Sequence, residues 1–312
     1  MSLPELSEAL SSFATVFLGI FVEAAAFLML GALASGLIEV FLRPNDMARL
    51  VPRHPILAAG IGGLLGLVFP VCECGVVPLA RRLVRKGMPM SAAVAFLLAA
   101  PVFNPIVIAS TLAAFGLTPV FFGRVALSLG IAVTTGAVFA ASKDPLALLR
   151  IQEPALRPTG ASLAAAFILE APTETALAKA GRVLRVAVDE FFDMGRFLVL
   201  GAFLAGLMQA FIPSTVVLAI GGGPVTSVLV MILLAVLLSV CSTVDAFIAL
   251  AFAGSFTTGS LLAFLVFGPM VDIKSTLMYA GVFKRKAVAY LILLPLLMTI
   301  LAAVFINLNT TW

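Results

Sequence analysis

Two thiols flank a carboxylate at Cys72-Glu73-Cys74, between Pro70 and Gly75 and directly after an apolar run. A third thiol opens Cys241-Ser242-Thr243-Val244-Asp245, again inside an apolar stretch. Asn104 stands between Pro101 and Pro105, and Asp272 and Lys274 follow Pro269. Thiolates bind soft metals and thiophilic metalloid centres in preference to hard cations. A trivalent arsenical with two exchangeable positions needs two thiols, and inorganic arsenite needs three. Glu73, Asp245 and Asp272 could carry coupling protons. The structural alternatives are concrete. Cysteine is often a small buried hydrophobe, and Asp272 and Lys274 could simply neutralise one another.

These residues sit in a chain that is 62% hydrophobic and 11% charged over 312 residues, with a mean hydropathy of +1.20. Soluble domains carry about 25% charged residues, so the composition is that of a polytopic membrane protein. The net charge of +4 reads as topology, not nucleic-acid binding, because the basic residues are confined to particular segments. The first twelve residues hold Glu5 and Glu8 but no Lys or Arg, so no secretory leader is expected. His54 is the single histidine, which excludes a multi-histidine metal site and leaves no credible Ser-His-Asp hydrolase. No phosphate-binding Gly-x-x-x-x-Gly-Lys-Ser/Thr loop is present. An enzyme is not expected, nor any cofactor, and no metal ligand set is assigned.

The chain repeats. Residues 21–41 and 191–211 are identical at nine of twenty-one positions, including Phe27/Phe197, Gly31/Gly201 and Gly36/Gly206. At nearly the same offset Cys72 meets Cys241, Pro101 meets Pro269 and Asn104 meets Asp272. Two tandem halves, 1–141 and 187–312, are therefore expected, joined by a cytoplasmic linker, 142–186, with an amphipathic helix from about 173. Each half reads as a long helix (13–42; 187–212), a pair of short runs broken at a cysteine (56–71 and 75–86; 225–240 and 243–256), a long run broken by proline (88–115; 259–283) and a plain final span (119–141; 287–306). Spanning takes about 20 helical residues, so the short pair suits a re-entrant hairpin. Pro70, Gly75, Pro101, Pro105 and Pro269 are the expected helix breaks.

The basic clusters around Arg49, Arg82, Arg182 and Arg285 fix the parity. Three full spans plus one re-entrant or broken helical hairpin per half place every cluster in the cytoplasm and both termini outside. Eight plain spans would strand one cluster outside. Three spans per half inverts the second half, so the expected fold is all-α, with two inverted-topology repeats. Such architectures hold their sites near the midplane at discontinuous helices. The two tips and two broken helices would converge there. Cys72, Glu73, Cys74, Asn104, Cys241, Ser242 and Thr243 are the expected substrate-binding residues, and Asp245, Asp272 and Lys274 the expected ion-coupling residues.

The motifs Cys72-Glu73-Cys74-Gly75-Val76-Val77-Pro78 and Leu98-Ala99-Ala100-Pro101-Val102-Phe103-Asn104-Pro105 resemble those of the predicted-permease family that includes YraQ and the ArsP organoarsenical efflux permeases. The likeness covers nearly the whole chain. It implies a bacterial inner-membrane permease and, as cargo, a trivalent organoarsenical. Glu73 stands where the family pattern commonly has serine, and a carboxylate between two thiols shifts preference towards a cation. Two other readings therefore stay open: a transporter of zinc or copper, and a membrane subunit of a larger or redox complex. The partners implied are a small-molecule or metalloid substrate and the lipid bilayer.

Overall fold

The computed structural model describes residues 3–42, 51–52, 54–69, 71–140, 148–149, 176–211 and 223–309. Pro70 and most of the expected linker lie outside the described residues. Twelve helices follow in order within them: α1 (Leu3–Phe41), α2 (Pro55–Val68), α3 (Glu73–Arg85), α4 (Met90–Ala99), α5 (Pro105–Phe115), α6 (Pro119–Phe139), α7 (Ala176–Phe211), α8 (Thr226–Leu238), α9 (Asp245–Phe252), α10 (Thr258–Met270), α11 (Ile273–Val282) and α12 (Arg285–Asn309). Every one of these elements is α-helical. Among the described residues, five stretches are long and apolar enough to cross a membrane: Leu10–Phe41, Pro119–Phe139, Ala176–Gln209, Thr258–Val282 and Arg285–Asn309. They match five of the six expected full spans. The sixth, 88–115, is present as the two short helices α4 and α5.

The helix starts follow from local chemistry. Pro55, Pro105 and Pro119 each open a helix, where the missing N–H costs nothing and φ is already helical. Asn104 caps α5, accepting from the Ile106 and Val107 amides at 3.0 Å each, and its own amide donates to the Ala100 carbonyl at 2.9 Å. Asp272 caps α11 through a reciprocal pair with Ser275. Tyr279 donates to the Met270 carbonyl at 2.9 Å. Both breaks thus return partners to backbone groups freed inside an apolar region.

Two of the expected breaks fall differently. Gly75 lies in the first turn of α3, and Pro269 lies inside α10, one residue before its end. The described interruptions are at Val71–Cys72 and Val271–Asp272. Gly75 has a packing role instead: a Cβ on Gly31 of α1 would come 2.5 Å from the Gly75 Cα and carbonyl oxygen. The two glycines let α1 and α3 backbones touch. Gly31→Ala should destabilise by about 1–3 kcal/mol, because backbone stands opposite and cannot yield as a side chain would. Gly130→Ala, with nothing within 4 Å, is the control, and should be neutral or stabilising by up to about 1 kcal/mol. Thermal unfolding in detergent reads both.

Packing repeats with the sequence. The helix α4, apolar but for Ser91, is buried on every side, and α10, its counterpart, is nearly so; a helix apolar nearly all round belongs in a core. Each packs between the second and last helices of its own half. The halves meet along two seams. Phe13 of α1 packs edge-on against Phe203 of α7 with centroids 5.3 Å apart, while Gly36 faces Val183, so α1 and α7 run antiparallel. Thr134 meets Met298 and Phe139 meets Tyr290, so α6 and α12 are antiparallel too. Between the seams, α3 contacts α11 and α5 contacts α9. The amphipathic segment and the first span of the second half form one unbroken helix, α7, which runs through the expected boundary at 186/187.

Candidate functional site

The site is built where the tips meet the broken helices of the other half. Cys72 is the N-cap of α3, its carbonyl accepting from Gly75 and Val76 at 3.1 and 3.0 Å. Glu73 and Cys74 follow in the first turn, and all three cysteines are buried and unbonded to one another as disulfides. Lys274 projects from the first turn of α11 towards them. Its ammonium donates to the Ser239 carbonyl at 2.7 Å and lies 3.4 Å from Asp272 and 3.5 Å from Glu73. Ser239 is the left-handed C-cap of α8 (φ 46°), a conformation costly for a non-glycine residue. Its buried carbonyl is what Lys274 satisfies. Glu73 Oε2 is buried with no hydrogen-bond partner.

Cys72, Cys74, Cys241, Glu73 and Lys274 line one small cavity. Its remaining wall is Ile20, Glu23, Ala24 and Phe27, which is one face of α1 at helical spacing. A second cavity holds Asn104, Ser242 and Thr243, together with Cys72, Phe27, Val71 and Ile106. Each has a volume of about 10 Å³, room for no more than one water. Every expected substrate-binding residue therefore borders one of two adjoining cavities. Thr243 Oγ1 donates towards Cys241 Sγ at 3.6 Å.

Asp245 lies apart. It faces Arg124 of α6 in a bidentate pair, 3.0 Å and 2.6 Å, with Thr111 Oγ1 accepting from the same guanidinium at 2.9 Å. Arg124 and Asp245 are 1% and 2% exposed. By hydropathy 119–141 is a plain span, and Arg124 is not among the expected site residues. The available signal was its charge, the single one in α6, since ionisable residues inside spans have partners. Glu73 and Asp245, each the first residue of its tip helix, thus pair with a buried cation from the other half.

The basic stretch Arg81-Arg82…Lys86 has more than a topological role. Arg82 bridges Glu39 of α1 at 3.1 Å and Glu190 of α7 at 3.0 Å. Arg81 reaches Asp193 at 3.2 Å, and Lys86 reaches Glu39 at 3.3 Å. Cations at the C-terminal end of α3 also complement its dipole. Asp193 pairs with Arg196 at 2.8 Å, a half-exposed contact. Among the described residues no group of three His, Cys, Asp or Glu side chains is placed to hold a metal ion.

The model of the ArsP_1 predicted-permease family matches residues 9–308, which takes in both halves and both breaks. The chain belongs to this permease family. The permease is 43% identical to the UPF0718 protein YcgR of Bacillus subtilis, over 89% of this chain and 91% of the relative. It is 37% identical to a putative two-component membrane permease complex subunit of Streptococcus mutans, over 87% of each. No solved structure matches. Family and apolar helices together place the permease in a membrane.

Proposed function

We propose that the permease is a secondary transporter that exports a thiophilic solute, most concretely a trivalent organoarsenical. The observation that carries this reading is the convergence of all three cysteines, with Glu73 and Lys274, on one cavity between the halves. Methylarsenite presents two hydroxyls on arsenic. Each thiol would displace one: S–H and As–OH bonds break, As–S forms, and one water leaves per thiol without change of oxidation state. The step reverses with water, as release requires. Asp272, Asp245 and Lys274 remain the candidates for ion coupling. The antiparallel pairs α1/α7 and α6/α12 support inverted halves. With three spans and a hairpin in each half, the distribution of Lys and Arg favours both termini outside and 142–186 in the cytoplasm.

A soft metal ion is the alternative cargo, and the feature that favours it is Glu73 between the two thiols Cys72 and Cys74 on the same cavity. The complex-subunit reading is favoured by one finding, the relative whose name describes a subunit of a two-component permease. Co-purification with a stoichiometric second protein would support it.

The test is accumulation of methylarsenite, arsenite, zinc and copper in a sensitive host. Expression of the permease should lower methylarsenite accumulation several-fold, and a variant with Cys72, Cys74 and Cys241 all changed to Ser should lose the effect. Full efflux by the serine variant would reduce the thiols to packing. Lowered zinc or copper, with methylarsenite unchanged, would move the cargo to a metal ion.

A further inference from the structure

The two cavities share two walls: Phe27 of α1 and Cys72. One compartment is ionic and carries the thiols. The other is neutral and holds Asn104 and Ser242, whose hydroxyl is buried without a partner. At about 10 Å³ each, neither admits a solute larger than water. Moving a shared wall joins them. Cys72 is held by two backbone hydrogen bonds as the cap of α3. The Phe27 ring is a side chain that can change rotamer with α1 intact.

The repeat supplies an internal comparison. Phe197, the counterpart of Phe27, is wedged: a Cβ on Gly281 would come 2.6 Å from its ring, and the Arg196 guanidinium sits 4.9 Å above it. Phe27 borders the two small cavities instead. The geometry points to Phe27 as the movable partition of the site and its specificity-determining residue. With the ring swung aside, the compartments merge, and the apolar substituent of the solute takes the place the ring leaves. The ligand class is a small neutral thiophilic centre bearing one apolar group. Wild type should prefer a methyl group, and loss of the ring should admit an aryl group. The assignment rests on the transport function proposed above.

Two arms test it. In protein keeping only Cys72 (Cys74→Ser, Cys241→Ser), Phe27→Ala should raise the rate of N-ethylmaleimide labelling at least about tenfold, Phe27→Leu should give an intermediate rate, and Phe197→Ala should leave it within about twofold. In everted vesicles, Phe27→Ala should shift the ratio of phenylarsenite to methylarsenite uptake upwards by about tenfold. Unchanged labelling in both Phe27 variants, or an equal rise in Phe197→Ala, overturns the partition. Phe27→Leu decides the labelling arm if the alanine variant does not fold. Wild type that moves neither arsenical refutes the cargo reading while the labelling arm still decides the partition. Wild type that moves both, with an unshifted ratio in Phe27→Ala, overturns the specificity role.

Discussion

Arg124→Gln and Asp245→Asn, made singly, should each destabilise the permease by about 3–5 kcal/mol, because each leaves its buried partner without a counter-charge. The pair is bidentate, 2.6 Å at its shorter contact, and both residues are almost wholly buried. Its net contribution is a separate quantity. Desolvating two ions costs about as much as their attraction returns, so the apolar double variant Arg124→Met/Asp245→Leu should recover most of the loss. The three buried, free cysteines make the measurement simple: a maleimide dye that fluoresces on reaching thiols reports unfolding in detergent. Singles as stable as wild type would contradict the pairing. The double variant also separates two roles for Asp245. Methylarsenite efflux that returns with stability makes Asp245 a latch between the halves. Stability without efflux keeps it as an ion-coupling residue.

Lys274→Met should be as damaging to stability and should abolish efflux. The ammonium is the cation shared by Asp272 and Glu73, and it is the partner of the strained Ser239 carbonyl. Its removal leaves two buried carboxylates facing each other across the tip, again a loss of about 3–5 kcal/mol. Adding Glu73→Gln removes one of those charges and should restore part of the stability without restoring efflux. Lys274→Arg should not substitute. The guanidinium is a wide planar fork, and the Lys274 stem already lies against Gly201, where a Cβ would come 2.8 Å from the Lys274 Cα. Efflux that survives in Lys274→Met would remove Lys274 from the transport machinery. A stability unchanged by the same substitution would mean that the carboxylates carry protons and never needed it.

Much was legible in the residues themselves. Composition alone required a membrane protein, because so few charges cannot coat a soluble surface. Repeated spacing of Phe, Gly, Cys and Pro is the signal for two halves on one plan, and Pro101, Asn104 and Pro105 marked the α4–α5 break, whereas Pro269 lies inside α10, just short of the α10–α11 break. Cys72, Glu73, Cys241, Asp272 and Lys274 became candidates by one rule, that polar groups inside apolar runs are costly and need partners. Tertiary structure decided who meets whom. Arg124 and Asp245 are 121 positions apart, and helical periodicity gives the face of a residue but not the helix packed against it. The same limit hid the division of the candidate set into two cavities, the sharing of Lys274 between Asp272 and Glu73, and the use of Arg81 and Arg82 to tie α3 to α1 and α7. Gly75 shows the reason in one residue: its missing side chain read as a break, yet only the approach of Gly31 from another helix reveals it as a contact.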